Sequence, residues 1–235
     1  MSPIQRELYS RYNDVVVLDT TYNTNRFQMM LCIMTVIDNN YKTRIVACAI
    51  IEDETLETYR WIFDNILTEM GISPGVVFTD LDSSMIRSIN EIYPNAHHLL
   101  CIFHIDLNLR KKLKGKLGKH FEEFRRKFYT YRNSLCEELF EHRWTQLVNQ
   151  YSDAAKYLSD TLPIKESWVF LGYIKILQLT HKAHNESNQS INIYTIRLIV
   201  LCRYVIYYLA SRIMLKTKKG LRLSEMLCLQ LGCRC

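Results

Sequence analysis

Glycine and proline are scarce in this 235-residue chain, at 7 and 4 residues. A β-sandwich draws on both for its many turns, so that class is disfavoured. No internal repeat or low-complexity tract occurs, which leaves no array and no compositional linker. No two cysteines stand at C-x-x-C spacing. Cys32, Cys48, Cys101, Cys136, Cys202, Cys228, Cys233 and Cys235 therefore read as buried free thiols in a reducing compartment. The start, Met1 to Asn13, is polar and charged, unlike a signal peptide. An uninterrupted apolar span is missing too. Thr195 to Leu215 comes nearest, but Arg197, Arg203 and Arg212 break it. A central Arg costs roughly 2.5–3.5 kcal/mol on insertion, so a buried or partner-facing helix is expected there and no membrane contact.

What is present is a large apolar fraction, 48%, with 15 Tyr and 9 Phe. That supports a substantial core and argues against disorder. The length suits one domain, or one core carrying a large insertion. The net charge is +6, but residues 110–132 alone hold ten Lys/Arg against two Glu. The rest of the chain is slightly acidic, so the basicity belongs to one segment. A single basic stripe is the footprint of a polyanion partner.

Hydropathy patterning predicts strands at 14–19, 28–37 and 43–51, the last two joined at Asp38-Asn39-Asn40, a turn signal. All three are apolar on both faces, as in a sheet covered by helices. Tyr59, Phe63, Ile66, Leu67 and Met70 then recur at helical spacing over 55–70, closed by Gly71. A strand is predicted next at 75–79. A helix from Ser83 to Tyr93 carries Met85, Ile89 and Ile92 on one face and ends at Pro94. A short strand over 97–102 leads into a helix near 103–113, and 114–178 is helical in character. The order is βββαβαβ and then helices.

Two of these strands end on an aspartate. Val15-Val16-Val17-Leu18 runs into Asp19, and Val76-Val77-Phe78-Thr79 into Asp80. If the strands are neighbours, the carboxylates stand side by side. Such a pair repels itself and is tolerated with a divalent cation between its members or a shared proton. That chemistry points to metal-assisted phosphoryl transfer. Taken alone, each Asp also fits a turn residue capping a strand end.

Several segments resemble one family in register. Asp19-Thr20-Thr21-Tyr22-Asn23-Thr24-Asn25 is similar to the D-x-T-Y-x-T-N opening of Mutator-like element (MULE) transposases. The branch is the one related to the plant far-red-impaired-response transcription factors. Asp53-Glu54-Thr55-Leu56-Glu57-Thr58-Tyr59-Arg60-Trp61 resembles its D-E-x-x-E-S-Y-x-W segment. Thr79-Asp80-Leu81-Asp82, then Tyr93-Pro94-Asn95-Ala96, then Cys101-Ile102-Phe103-His104 with Asn108, resemble its T-D-x-D, F-P-x-A and C-x-x-H-x-x-x-N blocks. Order and spacing agree from about residue 14 to 113.

The resemblance implies an α/β, ribonuclease H-like mixed sheet with a helical insertion before the last catalytic helix. The organisation it implies is a lead-in over 1–13, a transposase core over 14–113 and a helical insertion over 114–178. A helix over 179–195 then carries the third carboxylate, and 196–235 is an apolar helix with a divergent tail. It also implies DDE-type strand cleavage and transfer on double-stranded DNA at transposon ends, in the nucleus, with a homo-oligomer allowed. Two ions of Mg²⁺ or Mn²⁺ suit a set of hard carboxylate oxygens. By resemblance Asp19 and Asp80 are the first two metal ligands. Glu186, within Thr180-His181-Lys182-Ala183-His184-Asn185-Glu186-Ser187-Asn188, is the third; Glu166 is a poorer choice. Asp82 stands where a helix N-cap belongs and is assigned to capping beside the site. Cys101 and His104 form half a zinc set by spacing, without a second pair; by resemblance they orient the metal centre. Arg110, Lys111, Lys112, Lys114, Lys116, Lys119, Arg125, Arg126 and Lys127 are the expected phosphate contacts, with Phe121, Phe124 and Phe128 as core. The family's terminal zinc modules have no counterpart in this sequence. That keeps open a truncated or domesticated remnant that binds DNA or protein without cutting.

Overall fold

A computed structural model describes residues 1–21, 27–40, 42–134, 136–169 and 172. The backbone divides into two compact units, the first running through His98 and the second beginning at Leu99.

The first unit opens on a helix, α1 (Pro3–Tyr12), in a polar segment whose sequence pattern predicted no element. Its start is a capping box. The Ser2 hydroxyl accepts from the Gln5 amide at 3.3 Å, and the Gln5 side chain accepts from the Ser2 amide at 2.8 Å. Pro3 stands in the first turn, where its missing N–H costs nothing. Tyr9 is buried, and its hydroxyl donates to the Ile72 carbonyl at 3.1 Å.

Three strands come next: β1 (Val15–Thr21), β2 (Met30–Ile37) and β3 (Thr43–Ile51). They pair antiparallel in sequence order, with a bulge at Met34/Thr35. The β2–β3 turn is built on Asp38, which is buried. Its carboxylate accepts from the amides of Asn40 and Lys42, both at 2.9 Å, and from Arg44 Nε at 2.7 Å. Burial works against that charge, but these donors win and hold the carboxyl below the usual range.

Helix α2 (Leu56–Met70) starts at an N-cap, Thr55, and stops at Gly71, which takes the left-handed φ of 64°. Strand β4 (Val76–Thr79), helix α3 (Ser83–Ile92) and strand β5 (His97–Leu100) complete the order. The mixed sheet runs β3-β2-β1-β4-β5, with β4 parallel to β1. Val16, Leu18, Cys32, Met34 and Val77 on one face pack with Tyr59, Phe63, Met85 and Ile89 into the main core. The apolar positions of α2 and α3 thus face the sheet at the spacing the sequence predicted.

In the second unit, α4 (Ile102–Leu117) runs longer than the predicted 103–113, and Gly115 lies within it. Helices α5 (Phe121–Arg132), α6 (Glu137–Gln150) and α7 (Ala155–Thr161) succeed it. Phe121, Phe124, Phe128, Phe140, Trp144 and Trp168 fill this core, with Phe128 stacked on Trp168 at 5.4 Å. Among the described residues no helix is long and apolar enough to cross a membrane; Thr195 to Leu215 lies outside them. Cys32 and Cys101 are buried thiols as expected, but Cys48 and Cys136 are exposed. Cys48 stands on the edge strand β3 and Cys136 at the N-cap of α6, positions the apolar neighbours in sequence do not reveal.

Candidate functional site at the carboxyl ends of two parallel strands

The β1–β4 register pairs Val15 with Val76, Val16 with Val77 and Val17 with Phe78. Extended by two residues, one of them past the end of β4, the same register sets Asp80 opposite Asp19, with no strand between β1 and β4. The β-branched run that makes each strand thus delivers one carboxylate to the same edge of the sheet. Both are only partly buried.

The turn into α3 shapes Asp80 locally. Its Oδ1 accepts from the Asp82 amide at 3.0 Å, an Asx-type turn. Asp82 in turn caps α3, its Oδ1 accepting from the Met85 amide at 2.8 Å. The capping role expected for Asp82 is what the geometry shows.

Two hydroxyl networks flank the aspartates, and the sequence pattern pointed to neither. On the β4 side, the Thr79 hydroxyl donates to the Asp80 carbonyl at 2.8 Å and meets His98 Nε2 at 2.7 Å. Burial keeps the His98 imidazole neutral, its pKa pushed down to about 4. On the β1 side, the Thr20 hydroxyl lies 3.3 Å from the Tyr59 hydroxyl, which donates to Glu54 at 3.1 Å. Burial raises the Glu54 pKa, its bond from Tyr59 opposes this, and the charges of Asp82, Asp80 and Asp19 add to the rise. Glu54 therefore shares the electrostatic field of the aspartates. The Cys32 thiol beneath them is pushed up to about 12 by burial, with Asp19 and Asp80 contributing; it is an inert thiol. The signal for Glu54 and Tyr59 was present in the sequence, since both fall within Asp53–Trp61, but nothing local ties them to Thr20.

The donor set at this edge is carboxylate oxygen, which suits a hard divalent cation. Among the described residues, no group of three or more His, Cys, Asp or Glu is gathered so as to hold a metal ion. Asp19 and Asp80 are the two expected ligands that lie among the described residues, and Glu186 lies outside them.

The remaining predicted residues lie in the second unit. Cys101 is buried and stands at the N-cap of α4 without a side-chain capping bond; His104 is in the first turn, its ring edge-on to Phe103 at 5.4 Å. The basic segment divides in two. Buried Asp106 accepts from Arg110 Nε at 2.9 Å, Arg125 Nε at 2.5 Å, Arg125 Nη2 at 3.2 Å and the Tyr129 hydroxyl at 2.9 Å. Burial opposes the charge, but those three partners hold the Asp106 carboxyl below its usual range. Lys127 bonds Glu123 and Gln150. Lys111, Lys112, Lys114, Lys116, Lys119 and Arg126 are exposed, and among the described residues they form no ion pair.

Comparison with known families identifies residues 15–108 as matching the MULE transposase domain. Among similar Arabidopsis thaliana proteins, FAR1-RELATED SEQUENCE 10 is 32% identical over 148 residues, 61% of this chain and 21% of that protein. FAR-RED IMPAIRED RESPONSE 1 is 28% identical over 148 residues, 62% of this chain and 18% of that protein. FAR1-RELATED SEQUENCE 5 is 28% identical over 174 residues, 65% of this chain and 22% of that protein. The chain spans about a fifth of the length of these relatives.

Proposed function

Because residues 15–108 of this chain are a MULE transposase domain of the branch related to FAR-RED IMPAIRED RESPONSE 1, we propose that it is the catalytic core of a metal-dependent DNA strand-cleaving and strand-transferring enzyme. The strand order β3-β2-β1-β4-β5, with β4 parallel to β1, supports a ribonuclease H-like reading of the sheet. The observation that carries the proposal is the matched register of Asp19 and Asp80. In this reading the pair holds Mg²⁺ or Mn²⁺ and Glu186 completes the set. A bound ion of this class supplies charge neutralisation at a phosphate and activates an oxygen nucleophile. The chain's own residues do the rest. Asp19 is fixed by strand β1 and Asp80 by the turn that follows β4, so their placement is set before any ligand arrives. The exposed Lys111, Lys112, Lys114, Lys116, Lys119 and Arg126 contact the backbone of double-stranded DNA. Arg110, Arg125 and Lys127 shape the helices instead. The nucleus is the compartment this activity implies.

A second reading is that the domain binds DNA or protein without cutting. One observation favours it: the relatives are named for a far-red response. A nicking assay on supercoiled plasmid separates the two. Wild-type nicking in Mg²⁺ or Mn²⁺, abolished by Asp19→Asn, supports the enzyme. DNA binding without any nicking supports the binding module.

A further inference from the structure

We propose that His98 is a positioning residue for Asp80, acting through the Thr79 hydroxyl. The proposal rests on the reading of Asp80 as a cation ligand. Thr79 is the last residue of β4 and is fully buried. Its hydroxyl has one proton, and that proton is given to the Asp80 carbonyl at 2.8 Å. At the 2.7 Å contact with His98, the hydroxyl can therefore only accept. So Nε2 of His98 carries the proton, and the neutral ring is held in one tautomer. The relay runs from imidazole to hydroxyl to main-chain carbonyl.

Asp80 is thereby fixed at two points. Its carbonyl is held from the β5 side through Thr79, and its Oδ1 is held by the Asp82 amide at 3.0 Å. Asp80 lies just past the end of β4, where ladder hydrogen bonds no longer set the peptide plane. Rotating that plane would carry the Asp82 amide away from Oδ1 and free the carboxylate to leave its place opposite Asp19, so the side-chain relay does what the ladder does one residue earlier. Burial keeps the ring uncharged through the physiological range, so the donor does not change with pH there.

The test uses the full chain with three substitutions. His98→Leu removes the donor, Thr79→Val removes the relay with little change of shape, and His98→Gln keeps an N–H within reach of the Nε2 position. Two readouts are taken: exchange of the Asp82 amide by NMR, and Mn²⁺ affinity by electron paramagnetic resonance of the free ion. We expect His98→Leu and Thr79→Val each to speed Asp82 exchange at least about 10-fold, while core amides such as Val77 keep their protection. We expect Mn²⁺ affinity to fall about 10-fold in both, the double variant to be no worse than either single one, and His98→Gln to recover both readouts in large part. If wild type takes up no Mn²⁺ but the exchange pattern holds, the cation reading fails and the positioning role stands. Unchanged Asp82 exchange in His98→Leu and Thr79→Val, or a His98→Gln as impaired as His98→Leu, overturns it.

Discussion

Asp19 on β1 and Asp80, one residue past the end of β4, each stand two residues beyond a registered pair of the two adjacent parallel strands, Val17 and Phe78. Nothing in a stable sheet requires two carboxylates there. Their mutual repulsion is the kind of local cost that sites of binding and catalysis retain. Replacing one should relieve it. Asp19→Asn is expected to leave the melting temperature unchanged or raise stability by up to about 1 kcal/mol in the absence of divalent ions. A melting curve showing collapse would make Asp19 a structural residue.

Asp82 should behave as a helix cap. Asp82→Ala is expected to cost about 1 kcal/mol, and Asp82→Ser to recover most of it. A ligand would behave otherwise: Ser would not restore cation affinity. Denaturant titration of the two variants decides between them.

Glu54 should gain from losing its charge. Its folded pKa is raised, chiefly by burial, so the unfolded chain ionises more readily as pH increases. The stability tied to its protonated form is full below its unfolded pKa and is lost as pH rises through the folded one. Glu54→Gln is therefore expected to raise the melting temperature slightly at pH 7, with the gain vanishing near pH 4. A gain that persists at pH 4 would point to packing instead of charge.

His98 carries the opposite sign. Its pKa is lowered by burial to about 4 from 6.5, so the unfolded chain takes the proton first on acidification. Stability from this residue is full above pH 6.5 and falls between 6.5 and 4, by at most about 3 kcal/mol. His98→Gln should flatten that part of the pH profile. An identical acid profile in both proteins would remove His98 from it.

The two classes of cation on α4 and α5 should separate cleanly. Asp106→Ala leaves Arg125, only 18% exposed, without its hydrogen-bonded carboxylate and with only the longer contact to Glu122, and is expected to cost about 3 kcal/mol. Lys111→Ala with Lys112→Ala should change stability by less than about 0.5 kcal/mol. The same pair should reduce the salt slope of DNA binding by about 2. An unchanged slope would take these lysines out of the interface.

Much of the architecture was legible because it is written in short-range patterns. The valine runs before Asp19 and Asp80 announce strands, Asp38-Asn39-Asn40 announces the hairpin, and Tyr59, Phe63 and Ile66 announce the helix that covers the sheet. Helix α1 was legible in principle, since Ser2, Pro3 and Gln5 are a capping signature, but its low apolar content hid it. The hydroxyl networks were not legible. Thr20 and Tyr59 are 39 residues apart and Thr79 and His98 are 19, and only the folded sheet brings each pair together. The Asp106 cluster shows the same limit: Arg110 is one helical turn away and readable, whereas Arg125 comes from the next helix.

The proposed joint hold of Asp19 and Asp80 on one divalent cation is open to measurement. Its most direct test is a Mn²⁺ titration of the full chain, monitored by electron paramagnetic resonance, in wild type, Asp19→Asn, Asp80→Asn and the double variant. Wild type is expected to bind, each single change to weaken binding at least about 10-fold, and the double to add little more, as for two ligands of one site. Wild-type affinity retained in both single variants would contradict it.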